Sequence, residues 1–222
     1  MLRELRLATA LCVAVVHECC LVVAPAALPA DAPLFVEFAS PSAKQGSITP
    51  AWADEQQAAA LWRPLAEVRR ALLAAALRAG GGAGEALPIA VLDDATCGLC
   101  MPTLNGYLLG YPAVYAVHCL DGALAASRCL SSTTLRLHTA SARLRGAGAD
   151  LRQTGAERSG DEQGVLLGFS VPSELCGGAA WRAAGERWRR HMQRQHAAAT
   201  RDGWPWQALR FESTSCMRGV AL

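Results

Sequence analysis

The clearest periodicity in the chain is helical. Ala58, Leu61, Leu65, Val68 and Leu72 recur at three- and four-residue steps, which places them on one face of a helix that Asp54 caps. Pro64 inside this pattern predicts a restart or a kink, and the run of glycines from Gly80 to Gly84 ends the helix. Ile89-Ala90-Val91-Leu92 is a short continuous apolar run, which predicts a strand covered on both faces. Thr103 to Leu109 predicts a short helix closed by Gly110, since glycine accepts positive φ. Pro112 bars further helix, and Ala113 to Val117 predicts a second buried strand.

Elsewhere the pattern is weaker. Leu34 to Phe38, Thr134 to His138 and Val165 to Val171 predict strands, the second with one wet face, and Leu209 to Phe211 adds an edge strand. From Gly178 to Ala199 the spacing predicts a helix with Trp181, Ala184, Gly185, Trp188 and Met192 on one side and arginines on the rest. Ser40 to Pro50 reads as loop, Asp121-Gly122 as a turn, and Ser141 to Gly164 as a mobile surface loop without sustained period. The order of strands and helices predicts an α/β domain of two or three layers. Its sheet would be mixed and partly parallel, with about five strands joined by right-handed crossovers.

At the N-terminus, Leu5, Ala8, Leu11, Cys12, Val15 and Val16 follow helical spacing, so Leu2 to Glu18 predicts a packed amphipathic helix leading to a strand at Leu21-Val22-Val23. The same stretch also fits a secretory signal, with Ala24-Pro25-Ala26 as its cleavage motif. The expected organisation is an N-terminal helix and connection over 1–33 and a single domain over 34–222. The apolar run before His17 and Glu18 is far shorter than the ~20 residues a membrane span needs.

Composition narrows the function classes. With 222 residues, 52% of them hydrophobic, 18% charged and a net charge of +2, the chain is globular in type and has no overall attraction for nucleic acid. The tryptophans of the arginine-rich helix fall on its apolar face, so they dock inward rather than stack on bases. The sequence names no partner and leaves a protein as one option, with no cofactor and no metal expected. Nine cysteines, an odd number set inside apolar runs, point to reduced thiols and a cytoplasmic location, secretion being the alternative if residues 1–26 are a signal.

The chemically suggestive residues cluster after Leu92. Asp93 and Asp94 fall at the carboxyl end of a predicted strand, where open α/β sheets bind ligands, although one aspartate would equally serve as a helix cap. With Thr96, Asn105 and Tyr111 they form the candidate binding set. Cys97-Gly98-Leu99-Cys100 is the candidate catalytic pair, because a thiol at a helix start ionises more easily. A zinc site using Cys97, Cys100, Cys119 and Cys129 or His118 lacks the spacing of a known finger. A pairing of Cys97 with His118 oriented by Asp94 rests on residue type alone.

The Cys-Gly-x-Cys after a buried strand resembles the thioredoxin superfamily, which implies attack by Cys97 and resolution by Cys100. The sequence departs from that pattern in having Thr96 before the first cysteine, Pro102 just after the second, and only Val171-Pro172 as a stand-in for the later proline segment. Leu104-Asn-Gly-Tyr-Leu-Leu-Gly-Tyr-Pro-Ala-Val-Tyr115, with Gly164-Val-Leu-Leu-Gly-Phe-Ser-Val-Pro172, resembles the uncharacterised family named for chromosome one open reading frame seventy-four, over about residues 34–175. That family is a domain of unknown function. The resemblance implies a globular intracellular interaction or structural domain, in which Asn105, Tyr107, Tyr111 and Tyr115 build the core and its rim, and it transfers no catalytic residue.

Overall fold

The computed structural model describes residues 11–16, 19–39, 48–78, 88–92, 99–117, 120–144, 163–201, 203 and 206–216. The chain divides into two compact units, Met1–Cys129 and Leu130–Leu222.

In the first unit, strands β1 (Cys12–Val16) and β2 (Cys19–Val23) pair antiparallel, and β1 pairs parallel with β5 (Ile89–Leu92). A second sheet has β3 (Leu34–Ala39) between β4 (Thr49–Trp52), antiparallel, and β6 (Ala113–Tyr115), parallel. The helix predicted from Leu2 to Glu18 is corrected at Cys12–Val16, which is the middle strand of the first sheet. Val, Cys and Ala at that stretch satisfy a period of two as well as a period of 3.6, and burial of Cys12 and Ala14 on one face decides for the strand. Thr49 and Pro50, read as the end of a loop, begin β4.

Helix α1 (Glu55–Arg78) buries Leu61, Leu65, Val68, Leu72, Ala75 and Ala76, the predicted face extended by one turn. It starts with a reciprocal cap. The Asp54 N–H donates to Gln57 Oε1 and the Gln57 N–H to Asp54 Oδ1, both at 2.8 Å, satisfying two donors that the helix start leaves open. It runs without a break through Pro64. Helix α2 (Met101–Leu108) precedes β6, and α3 (Leu120–Ser132) takes in Asp121-Gly122, which had read as a turn. One core joins both sheets, α1 and α2, with Cys12, Ala14, Phe35, Leu65, Leu72, Leu92, Leu104, Tyr107 and Val114 all buried in it.

The second unit is an antiparallel sheet, β8-β7-β9, of β7 (Leu135–Leu144), β8 (Gln163–Pro172) and β9 (Trp206–Cys216), with helix α4 (Ala179–Arg201). Trp181, Ala184, Gly185 and Trp188 are its buried residues, as the spacing predicted, while Met192 on the same predicted side is half-buried. Phe169 meets Trp188 edge-on at 5.1 Å, and Trp188 meets Phe211 at 5.3 Å, arrangements that ring quadrupoles favour. The loop predicted from Ser141 to Gly164 is corrected at both ends. Ser141–Leu144 continues β7 and Gln163–Gly164 begins β8, because backbone pairing extends the hairpin past a bulge at Ala140/Ser141 into residues with no apolar alternation.

The class is therefore α/β, with mixed sheets in the first unit. The nine described strands lie in three sheets of three strands, where one sheet of about five was expected. Among the described residues no helix is long and apolar enough to cross a membrane.

Candidate functional site

The stretch that carries the predicted chemistry is divided by the structure. Asp93, Asp94, Thr96 and Cys97 lie outside the described residues, as do His118 and Cys119. Cys100 is the N-cap of α2, half-buried, in extended conformation, and its carbonyl accepts the N–H groups of Thr103 (3.0 Å) and Leu104 (3.1 Å). The helix thus begins after the second cysteine of the pair, with Pro102 in its first turn where proline needs no hydrogen bond. The positive end of the backbone dipole faces Cys100.

Thr103 and the residues after it fix how α2 meets β6. Thr103 is fully buried, and its hydroxyl donates to the Tyr115 carbonyl at 2.8 Å while accepting the Val117 N–H at 3.0 Å. One side chain therefore fastens the start of α2 to the end of β6. Replacing Thr103 by Val keeps the shape and removes both bonds, so unfolding in urea should show a loss of about 2 kcal/mol.

Helix α2 ends in a Schellman motif. Gly110 has φ +72°, its N–H donates to the Tyr107 carbonyl at 2.9 Å, and the Tyr111 N–H donates to the Gly106 carbonyl at 3.0 Å. A methyl group on Gly106 would come within 3.2 Å of Val114 Cγ1, so this position is held small by the close approach of helix and strand. Tyr107 is buried, its ring edge-on to Trp62 at 5.8 Å and its hydroxyl donating to the Pro29 carbonyl at 3.3 Å. Burial pushes the phenol up to about 12, partly offset by Arg69. Asn105 and Tyr111, the other predicted binding residues, are half-buried, and Asn105 Oδ1 is buried with no hydrogen-bond partner among the described residues. The Asn-Gly-Tyr-Leu-Leu-Gly-Tyr-Pro sequence spans the second half of α2, its cap and the turn into β6.

Two arrangements were not foreseen. The first lies on the sheet β2-β1-β5. Ala14, Ala90 and Leu92 turn inward to the core that α1 shares, whereas Ile89 is 64% exposed, Val91 73% and Val22 65%. Register places Val13 between Val22 and Ile89, so that outward row is apolar across all three strands, and Val15 beside Val91 continues it on β1 and β5. The prediction that Ile89 to Leu92 is covered on both faces is corrected here. A continuous apolar run reports that both faces are apolar, and whether a second layer covers the outer one is a tertiary fact that the run does not contain.

The second is in the sheet of β7. His138 is buried between Phe169, stacked at 5.3 Å, and Trp181 at 4.9 Å, with its Nε2 3.9 Å from the Cys176 thiol. Burial, with Arg136 and Arg189 nearby, pulls the imidazole down to about 4, and burial raises the thiol. Both groups are therefore neutral at pH 7 and closed to solvent. A Cys–His nucleophile needs a thiolate and an approach for substrate, and this pair has neither, so its role is packing. Alternation in Leu135-Arg-Leu-His138 was the available signal, and it does not say which face is wet. Among the described residues no group of three or more His, Cys, Asp or Glu is placed to hold a metal ion.

Comparison with known proteins gives one family. A family model described as Domain of unknown function (DUF4504) matches residues 76–221, from the last turn of α1 to beyond β9. This agrees with the expectation of an uncharacterised family, displaced toward the C-terminus from the span the motifs suggested. No curated protein matches the chain, and no solved structure does.

Proposed function

The chain belongs to this family of unknown function, and we propose that it is an interaction domain that works by binding rather than catalysis. The observation that supports this reading is the apolar outer face of the sheet β2-β1-β5, with Val22, Ile89 and Val91 each more than 60% exposed. Parallel strands are ordinarily covered on both faces, so an open apolar face on the pair β1 and β5 is a place where another element can dock.

Magnitudes choose the occupant. Three strands about 4.8 Å apart and four residues long at about 3.3 Å each present roughly 190 Å² in projection. A stable interface between globular proteins buries about 800 Å² on each side, so this face is too small to carry one alone. One α-helix, about 10 Å across with side chains, fits it with two to three turns. Parallel strands such as β1 and β5 are ordinarily covered by helices on both faces, and here α1 supplies the inner layer. The partner is accordingly an amphipathic helix presenting Leu, Ile or Phe at helical spacing. A cytoplasmic location fits the buried free thiols of Cys12 and Cys176, which a reducing compartment preserves.

The test is affinity capture with the full chain against Val91→Lys, quantified by mass spectrometry with cross-link mapping. The charge is placed on an exposed position, so the fold is retained. The expected result is a partner that contacts β5 through a helical segment and is lost with Val91→Lys. A set of captured proteins that is identical for the two chains would sink the reading.

A further inference from the structure

Strand β9 ends the sheet β8-β7-β9. It pairs with β7 from Leu135↔Cys216 to Leu144↔Trp206, and no described strand pairs with its other side. Glu212, Ser213, Thr214 and Ser215 are all exposed, so both faces are open there as well as the edge. An open edge is a template for another strand, and proteins usually blunt it with proline, lysine or inward charges. The run Gln207-Ala-Leu-Arg-Phe-Glu-Ser-Thr-Ser215 has no proline and no lysine. At Ala208, with φ +43°, and Leu209 the pairing with β7 is interrupted by a bulge, which leaves Arg210 to Cys216 as the regular part of the edge.

The charges on this edge have a specific arrangement. Arg210 and Glu212 flank Phe211 and point to the face opposite it. Within the sheet they stand beside Ser141 and Thr139, so neither has a cross-strand charge partner. We propose that β9 is a homodimerisation edge, on which a second copy of this chain pairs antiparallel about a two-fold axis at Phe211.

In that register Phe211 faces the partner's Phe211, Arg210 faces the partner's Glu212, and Glu212 faces the partner's Arg210. Two ion pairs form by symmetry. A slip of two residues one way brings Arg210 opposite the partner's Arg210, and the other way Glu212 opposite the partner's Glu212. A slip of one residue would put the two α4 helices on opposite faces of the joined sheet. The charge pattern therefore selects this register over the two-residue slips, and only slips by an even number keep both α4 helices on one face. A foreign strand has no reason to carry the reversed charges at this spacing, whereas the second copy carries them necessarily. Exposed ion pairs contribute little affinity, so they select the register while the main-chain bonds of a six-stranded sheet hold the dimer.

This inference is independent of the sheet face in the first unit. Sedimentation velocity on the full chain and three variants tests it. The expected result is a reversible dimer, weakened ~tenfold or more by Arg210→Glu or by Glu212→Arg, since each places like charges opposite one another across the axis. The double variant, carrying both changes, restores opposite charges and returns the dimer to its original strength. A monomer at every concentration overturns the proposal. So does a dimer indifferent to the single reversals, or one the double variant does not recover.

Discussion

A chain shortened to residues 27–222 will not fold its first unit. Strand β1 is the middle of the sheet β2-β1-β5, and it is the only described strand to which β5 pairs. Without it β5 has four residues and no ladder, which cannot persist in water. The inner side of the sheet goes as well. Cys12 and Ala14 are fully buried and Val23 is 6% exposed, all three within the core that holds Leu65, Leu72 and Tyr107. Removing these side chains exposes α1 along the face it packs, at a cost of several kcal/mol in burial alone, comparable to the entire stability of a small domain. Circular dichroism, limited proteolysis and urea unfolding should show the first unit cleaved rapidly and its cooperative transition gone. Cleavage after Ala24-Pro25-Ala26, as in a secretory signal, would produce this same chain. A shortened chain that unfolds at the midpoint of the full one would show that β1 and β2 are dispensable, and would support the secreted reading.

How much of this was legible in the sequence depends on where the deciding interaction lies. The face of α1, the cap at Asp54, the Gly110 terminator and the inward side of α4 were all readable, because each is set by neighbours within one or two helical turns. Gly106, by contrast, gives no local reason for being small, since the reason is Val114 on the following strand. Strand β1 was misread because Cys12 to Val16 is apolar at every position, and such a run satisfies both periods until a partner strand chooses between them. The hairpin of β7 and β8 reaches into Ser141–Leu144 through backbone pairing, which needs no apolar pattern to announce it. In the candidate site the residues with the most suggestive chemistry were legible as types only. Cys100 is a helix cap and Tyr107 a core residue, roles that follow from where α2 begins and what β6 presents to it. The family match carries no reaction to assign to them. The features from which function is argued, an apolar sheet face and an open charged edge, are properties of what the rest of the chain leaves uncovered, and no window of sequence contains them.

The second unit should lose stability as the pH falls from about 6.5 to about 4. His138 is 7% exposed and enclosed by Phe169, Trp181 and the Cys176 thiol, which offer its imidazolium no anionic partner, while Arg136 and Arg189 oppose its charge. Its folded pKa is therefore lowered to about 4 from an ordinary 6.5. In the unfolded chain the imidazole takes up a proton once the pH drops below 6.5, and in the folded chain it does not until about 4. Between those values the unfolded state binds more protons, so stability decreases with falling pH. The contribution of the neutral ring is complete above 6.5 and is lost by about 4, a change of about 3 kcal/mol from this one residue. Urea unfolding across that window measures it. His138→Phe keeps an aromatic ring in the stack and removes the titrating group, so its stability should be nearly level over the same range and should exceed that of the native chain at pH 4.5. Proton NMR of the His138 ring supplies the microscopic check, with no titration expected above pH 5. A midpoint near 6.5 in the folded protein would mean that solvent or an anion reaches the ring, and the closed pair of His138 and Cys176 would then have to be reconsidered as an accessible site.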